Sequence, residues 1–227
     1  MKLSIVMAVY NEKDSIAEVI RRIQKVEIPL KKEIIIIDGC SDDGTRELLR
    51  EVKADNIKVI FEESKSGKGS ALQLGFKYAT GDIILIQDAD LEIDPFEYPA
   101  LVKPILDGRT KIVYGSRFIN GRGKTGIINY MGNRLMTTTA NILFGSNLTD
   151  IETCYKVFRR EVLDGLEFSC KGFDFDAELT SSFLKKGERI IEVPISYDPR
   201  DKKAGKKLHW ITGFTSLRAI LKTKFSL

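Results

Sequence analysis

The sequence predicts an α/β fold with a mostly parallel central sheet and helices on both faces. Three features support this prediction: continuous Ile/Val runs, amphipathic segments between those runs, and polar residues gathered where the runs end. Continuous apolar runs are typical of strands covered on both faces, and the intervening helices supply the crossovers that parallel strands need. The chain has 227 residues, 43% hydrophobic and 30% charged, which is enough for one domain with a substantial core.

The first half of the chain predicts strands and helices in alternation. Strands are expected at 3–9, 33–38, 57–61 and 83–87. Helices are expected at 13–26, 41–52 and 68–79, where apolar residues recur three or four positions apart. Sheets of this kind bind ligands at the carboxyl ends of their strands, so the residues after each strand are the first candidates for a site.

The second half is less regular. Helices are expected at 95–107, 127–144 and 174–186, and strands at 111–115 and 189–197. Pro194 has no amide to donate, which indicates an edge strand or a bulge. Near the start of the helix at 174–186, the acids are expected to cap and solvate it: Asp174, Asp176 and Glu178. We assign 1–208 to one domain and 209–227 to a basic amphipathic helix that is not a separate domain.

Charge and cysteine content limit the classes of function. The region 109–134 contains six Lys or Arg and no acid, and 198–227 contains eight Lys or Arg against two Asp. Such basic regions suit anionic lipid, phosphorylated substrates or nucleic acid, but no recognition motif for nucleic acid accompanies them and we expect none to bind. No apolar stretch approaches the ~18 residues that span a bilayer. Cys40, Cys154 and Cys170 are read as reduced thiols of a cytosolic protein.

The stretch "ILIQDADLE" (84–92) ends a predicted buried strand in a cluster of acids, Asp88, Asp90 and Glu92. Like charges this close repel each other, so a cation is expected among them unless the cluster is well solvated. Mg²⁺ and Mn²⁺ prefer oxygen ligands and are commonly held by one or two carboxylates with substrate phosphates. The alternative is a solvated loop whose acids cap the helix near Pro95.

Polar groups also follow the first two strands, in "AVYNE" (8–12) and "DGCSDDGT" (38–45). One crevice would collect them with the acids of the fourth strand. Asp38 could hold a base edge or ribose hydroxyls, or it could be a turn residue. In "SKSGKGSA" (64–71), Lys65 and Lys68 stand beside glycines at a helix start, which suits a diphosphate but equally a flexible surface turn.

In this order and at these spacings, "AVYNE", "DGCSDDGT", "GKGSALQLGFKYATGD" and "QDADLE" resemble glycosyltransferase family 2. The similarity continues through "YGSRF", "NRLMTTTANILFG", "DIETCYKVFRREVL" and "EVPISYDPR" and covers nearly all of 3–210. Within the family, the chain looks most like the dolichol-phosphate or polyprenyl-phosphate mannose or glucose synthases. The resemblance implies a GT-A fold and an inverting transfer of a hexose from a nucleotide-sugar, such as UDP-glucose or GDP-mannose, to polyprenyl phosphate, with Mg²⁺ or Mn²⁺.

The same resemblance implies roles for individual residues. The nucleoside pocket would include Ala8, Tyr10, Glu12 and Asp38. Lys68 would lie near the diphosphate, and the metal and donor would be held by Asp88, Asp90 and Glu92. The acceptor phosphate would be bound by Arg117 and Arg134, under a basic loop containing Arg200, Lys206 and Lys207. The chain departs from the family at Cys40, which replaces a common glycine and leaves the base preference open.

Two alternatives remain open at this stage. A hydroxyl acceptor would need a general base, for which Asp150 and Glu152 are the obvious carboxylates; otherwise these acids hold Arg or Lys side chains. A nucleotide-sugar-binding protein without catalysis would use the same pocket. If the acceptor is a polyprenyl phosphate, we expect a cytoplasmic protein that is peripheral on the inner face of the membrane and bound through its C-terminal helix. A membrane-anchoring partner or a homo-oligomer would fit this reading.

Overall fold

The computed structural model describes residues 1–200 and 211–226, and within these ranges the chain forms a seven-stranded mixed sheet. The strands are β1 (Lys2–Val9), β2 (Lys31–Asp38), β3 (Ile57–Phe61), β4 (Ile83–Asp88), β5 (Ile112–Ser116), β6 (Lys156–Arg159) and β7 (Ile190–Pro194). The helices are α1 (Ile16–Lys25), α2 (Thr45–Glu51), α3 (Lys68–Tyr78), α4 (Tyr98–Leu106), α5 (Ile127–Phe144), α6 (Phe175–Lys185) and α7 (Ile211–Phe225). The predicted class is therefore confirmed.

The strand order is β3-β2-β1-β4-β6-β5-β7. All neighbours pair in parallel except β6, which is antiparallel to both β4 and β5. Sequence analysis did not predict β6, because its four residues include Lys156 and Arg159 and lack an apolar run. The edge position predicted from Pro194 is confirmed, since β7 is the last strand of the sheet.

Both faces of the central strands are covered. Along β4, the consecutive residues Ile83 to Ile86 are all fully buried, and successive side chains of a strand point to opposite faces. On one face, α3 approaches so closely that a Cβ added to Gly75 would clash with a methyl carbon of Val6. This glycine is what allows α3 to pack directly onto β1.

Helices α5, α6 and α7 share a second, smaller apolar cluster beside the main core. It includes Met136 and Ala140 of α5, Ala177 of α6, and Ala219 and Ile220 of α7. The described part of the predicted terminal helix therefore packs against the protein. No helix within the described ranges is both long and apolar enough to cross a membrane.

Candidate active site

A cavity of about 720 Å³ opens at the carboxyl ends of β1, β4 and β5. It brings together most of the residues singled out in the sequence: Ala8, Tyr10, Glu12, Lys65, Lys68, Asp88, Asp90, Glu92, Arg117, Glu152 and Arg200. Asp38, Arg134 and Asp150 are not among its lining residues. Lys206 and Lys207, predicted for the closing loop, lie outside the described residues.

The loops after β1 and β2 are fastened to each other. The amide of Asn11 donates to Ser41 Oγ at 2.9 Å, and the amide of Glu12 donates to Thr45 Oγ1 at 2.9 Å. Asn11 and Cys40 both have positive φ, 54° and 62°, in the left-handed region that favours glycine. These bonds hold the two strand ends together in a backbone conformation that costs free energy.

Asp38 ends β2 and is fully buried beneath the cavity wall, which Gly39 forms at this point. One carboxylate oxygen lies 3.1 Å from Nε of Arg46, while Oδ1 has no hydrogen-bond partner among the described residues. Beside it, Lys65 Nζ lies 3.7 Å from the ring centre of Tyr10. Because Asp38 is fully buried and does not line the cavity, its nucleoside contact stays a prediction.

A chain of alternating charges runs from the core to the cavity. Lys156 of β6 is fully buried and donates to Asp176 Oδ1 at 2.7 Å. Lys68 Nζ lies 3.4 Å from the other oxygen of Asp176 and 3.0 Å from Asp88 Oδ1. Burial is the largest influence on the pKa of Asp88 and raises it, but Lys68, with smaller contributions from Cys154 and Lys156, keeps that pKa below its usual value. Lys68 is thereby fixed beside the first acid of the Asp-x-Asp pair.

Sequence analysis did not predict two members of this series of charges, Lys156 and Asp176. Asp176 was expected to cap and solvate α6, yet it is only 4% exposed and bridges two lysines. That prediction is wrong because Lys156 enters the core on a strand the pattern did not reveal. The one signal in the sequence was an acid near the start of the predicted helix, and a capping role explains such an acid equally well.

Arg200 is a second cation among these acids, where the sequence predicts a cation unless the cluster is well solvated. Its Nη2 lies 2.7 Å from Asp90 Oδ2, its Nη1 lies 2.8 Å from Glu12 Oε2, and its amide donates to Glu92 Oε1 at 3.0 Å. Glu92 also accepts from the Tyr197 hydroxyl at 3.0 Å. One guanidinium therefore joins the ends of β1 and β4 to the segment after β7.

Positive charge at this point does not match the negative charge. Burial, then Asp88 and Glu92, raise the pKa of Asp90 to about 7, and Arg200 only partly opposes them. No group of three His, Cys, Asp or Glu within the described ranges is arranged to hold a metal ion, so the three-ligand set with Glu92 is not assembled. Asp88 and Asp90 nevertheless suit a hard cation that takes two carboxylates and completes its shell with phosphate oxygens.

Arg117, which also lines the cavity, forms a bidentate pair with Asp150. Nε lies 2.7 Å from Oδ2, Nη2 lies 2.8 Å from Oδ1, and Asn133 Nδ2 donates to the same carboxylate at 3.0 Å. Burial would raise the pKa of the fully buried Asp150, but Arg117 holds it below its usual value. Asp150 thus fixes the side chain of Arg117. This is the role that the sequence analysis gave as the alternative to a general base.

Glu152 differs from Asp150 although it stands only two residues away. It lines the cavity, and its Oε1 is buried without a hydrogen-bond partner among the described residues. Burial and the neighbouring Asp176 raise its pKa to about 7. Of the two carboxylates that the sequence offered as a base, only Glu152 faces the cavity.

Arg134 lies on α5 with its side chain exposed, outside the cavity lining. Its predicted contact with the acceptor phosphate therefore needs the phosphate to approach along α5. The cavity assembles the residues predicted for the donor except Asp38, together with Arg117, and Arg134 is not part of its lining.

The mostly parallel sheet, with an Asp-x-Asp pair and cations around one cavity at its carboxyl edge, is the architecture of the GT-A glycosyltransferase fold. Residues 4–166 match the Glycosyl transferase family 2 model, and the chain belongs to this family.

Curated relatives support the same family. The chain is 32% identical to a dolichol-phosphate mannosyltransferase of Pyrococcus furiosus over 97% of this chain and 63% of the relative. It is 28% identical to the low-salt glycan biosynthesis hexosyltransferase Agl6 of Haloferax volcanii over 89% and 49%. It is 29% identical to an undecaprenyl-phosphate mannosyltransferase of Micrococcus luteus over 94% and 90%. The chain thus spans less than two thirds of the length of the first two.

Among solved structures, glucosyl-3-phosphoglycerate synthase of Mycobacterium tuberculosis, in complex with Mn²⁺, UDP-glucose and phosphoglyceric acid, is similar in fold. The TM-score is 0.75 at 22% identity, over 98% of this chain and 79% of that one. This likeness supports the GT-A fold.

Proposed function

We propose that this protein is an inverting glycosyltransferase that moves a hexose from a nucleotide-sugar to a polyprenyl phosphate. The observation that carries the proposal is a single cavity lined by Asp88, Asp90 and Lys68 together with Arg117. The first group suits a donor diphosphate and the arginine suits an acceptor phosphate. Relatives named as dolichol-phosphate and undecaprenyl-phosphate mannosyltransferases support this acceptor class.

The acceptor phosphate would attack the anomeric carbon of the sugar while the bond from that carbon to the donor diphosphate breaks. A phosphate monoester is an anion at neutral pH, so the attack needs no general base. Asp150 fixes Nε and Nη2 of Arg117, which leaves Nη1 for the phosphate. Lys68 would neutralise charge on the departing diphosphate.

Asp88 and Asp90 would hold Mg²⁺ or Mn²⁺ together with the diphosphate. A bound divalent cation stabilises the leaving charge as a Lewis acid. The excess of carboxylate around Asp90 supports this assignment. So do the complexes of the Mycobacterium tuberculosis synthase with UDP and either Mn²⁺ or Mg²⁺.

A hydroxyl acceptor is the second candidate, and the position of Glu152 favours it. With a pKa near 7 and a place in the cavity wall, Glu152 has the properties of a general base. Loss of its carboxylate would then abolish turnover and leave donor binding intact.

Membrane contact is part of the proposal, but through α5 rather than through the C-terminal helix. Large apolar side chains of α5 are 60–82% exposed: Ile127, Ile128, Met131 and Leu135, with Ile142 at 77%. The opposite face of the same helix packs into the smaller core. Because α5 is apolar on both sides, its exposed face needs a second apolar surface to cover it, such as the membrane interior. The exposed Arg134 on the same helix suits anionic lipid head groups. Ile128 also lines the cavity, so a lipid acceptor would enter from this face.

Vesicle sedimentation tests this face. We expect the protein to sediment with vesicles of phosphatidylglycerol and phosphatidylcholine, and the double variant Met131→Ser, Leu135→Ser to remain in the supernatant. The matched control is Leu221→Ser, Phe225→Ser, which removes apolar groups exposed on α7. Loss of sedimentation only in the α7 variant would return the membrane contact to the C-terminal helix.

Radiolabelled transfer tests the reaction. UDP- and GDP-sugars would be incubated with detergent-solubilised polyprenyl phosphate and Mg²⁺ or Mn²⁺. We expect label in the organic phase that depends on metal and disappears in Asp90→Asn. Slow metal-dependent hydrolysis without lipid labelling would favour a hydroxyl acceptor, and tight donor binding without turnover on any acceptor would favour a binding protein.

A further inference from the structure

Glu152 has an unused hydrogen-bonding capacity that neither proposed phosphate site accounts for. Its Oε1 is buried and has no hydrogen-bond partner among the described residues, and the Ser216 hydroxyl of α7 lies beside the carboxyl group. A buried acceptor left unsatisfied costs roughly 1–3 kcal/mol, so a group of the bound substrate is expected to complete it.

The chemistry around Glu152 selects the kind of group. Lys156 is bonded to Asp176, and the one guanidinium nitrogen of Arg117 that Asp150 leaves open is assigned above to the acceptor phosphate. A further phosphate beside Glu152 would meet the negative charge of Asp176 and, in its ionised form, of Glu152 itself. A neutral hydroxyl, which can donate to a carboxylate or accept from a carboxylic acid, fits in either protonation state.

The position of Glu152 selects which part of the substrate it meets. Alternate residues of one short segment contact both groups of charged cavity residues: Asp150 is bound to Arg117, and Cys154, whose thiol donates to the carbonyl of Ile86 on β4, lines the cavity together with Asp88. Glu152 lies between them in the chain and lines the same cavity. The transferred sugar must also lie between the departing diphosphate and the attacking phosphate.

We propose that Glu152 is a sugar-binding residue whose carboxyl group holds a hydroxyl of the hexose that is transferred. This inference rests on the proposed glycosyltransferase function and adds a determinant of sugar specificity to it.

Calorimetric binding separates the sugar from the nucleotide. UDP, GDP, UDP-glucose and GDP-mannose would be titrated with Mn²⁺ into the wild type and into Glu152→Gln and Glu152→Ala. We expect the nucleotide-sugar that the wild type prefers to bind ten- to a hundredfold more weakly to Glu152→Ala. Affinity for the matching nucleoside diphosphate should be unchanged, which also reports that the site is folded. Equal losses for sugar-nucleotide and nucleotide would overturn the proposal.

Deoxy donors identify the hydroxyl. Each monodeoxy analogue of the preferred donor would be compared between wild type and Glu152→Ala. One analogue should bind equally to both, because enzyme and ligand then each lack one half of the same hydrogen bond. A uniform loss across all analogues would contradict a direct contact.

The same variants separate sugar binding from base catalysis. A sugar contact predicts that Glu152→Ala raises KM for the donor, whereas a base predicts lower kcat at unchanged donor affinity. If the wild type binds none of these nucleotide-sugars, the proposed function fails. If it binds one and Glu152→Ala binds it equally well, only the role of Glu152 fails.

Discussion

The cavity brings together two charged clusters, one around Arg117 and one on the donor side around Asp90, and they differ in how their charges are balanced. Around Arg117, one guanidinium meets one carboxylate in a bidentate pair that Asn133 completes. Around Asp90, Arg200 is shared among three acids and the pKa of Asp90 is still raised to about 7. Backbone strain is found on the same side as the unbalanced charges. The two non-glycine residues with positive φ in the described chain are Asn11 and Cys40, which follow β1 and β2.

The charges around Arg117 are therefore neutralised without a ligand, whereas the charges around Asp90 are not. A balanced pair is fixed in position before any ligand arrives, which suits a group that must present one free nitrogen to a phosphate. An excess of carboxylate and a strained backbone cost stability, and such costs concentrate at functional sites. We therefore expect that a cation and a nucleotide bound on the donor side, near Asp90, stabilise the protein more than a ligand bound at Arg117.

The largest effect is expected for Asp90→Asn. Removal of this carboxylate should lower the rate of sugar transfer by about 10²–10³-fold, the usual cost of losing one charge-stabilising group. Scintillation counting of the labelled lipid gives the rate. Because Asp90 lies among like charges, thermal unfolding should show little loss of stability. Asp107→Asn, an exposed acid, serves as the control; a stability loss in Asp90→Asn as large as that of Asp150→Asn would remove the contrast between the two clusters.

Breaking the balanced pair should instead cost stability. Asp150→Asn leaves the Arg117 guanidinium buried without its counter-ion, and we expect the free energy of unfolding to fall by about 3 kcal/mol. Urea denaturation measures this. The matched variant is Asp198→Asn, which breaks an ion pair to Lys124 whose side chains are 70% and 76% exposed, at a cost below about 1 kcal/mol. Similar losses in both variants would contradict the role of burial.

Glu152 should make stability depend on pH. Folding raises its pKa from 4.5 to about 7, so the folded state holds a proton that the unfolded state releases between those values. This contribution is present below pH 4.5 and is lost as pH rises through 7, which amounts to about 3 kcal/mol by pH 8.5. The groups facing it are Asp176, Lys156, Arg117 and Ser216.

Denaturation curves from pH 4.5 to 8.5 test this dependence. Glu152→Gln cannot titrate, so its stability should rise relative to the wild type as pH increases. Glu63→Gln, which changes an exposed glutamate, should follow the wild type. Parallel curves for the wild type and Glu152→Gln would mean that Glu152 titrates at its ordinary pKa.

The smallest effect concerns the strained backbone on the donor side. Cys40→Gly relieves a left-handed conformation but adds freedom to the unfolded chain, so we expect a gain of no more than about 1 kcal/mol. Cys40→Ala is the control, since it removes the contact from Sγ to the carbonyl of Glu62 without relieving φ. A thermal scan in which Ala gains as much as Gly would assign the effect to the thiol and not to the backbone.

Local pattern predicted most of the elements. The expected bounds 57–61 and 127–144 coincide with β3 and α5, because each is set by turn residues and by periodicity within the segment. Helix α2 begins at Thr45, later than expected, because the preceding polar residues are bonded to the loop after β1. The strand β6 was missed because burial of Lys156 depends on Asp176, twenty positions away.

By itself, the sequence determined the α/β class, the mostly parallel sheet and the strand ends where donor-site residues gather. These follow from side-chain periodicity and from the rule that parallel strands end at one edge. Only the tertiary structure decided which charges are paired: Arg200 reaches Glu12 across 188 positions, and Asp150 is bound to Arg117 while Glu152 is left with an unsatisfied oxygen. Charge pairing depends on distance and burial between remote segments, and no local pattern records either quantity.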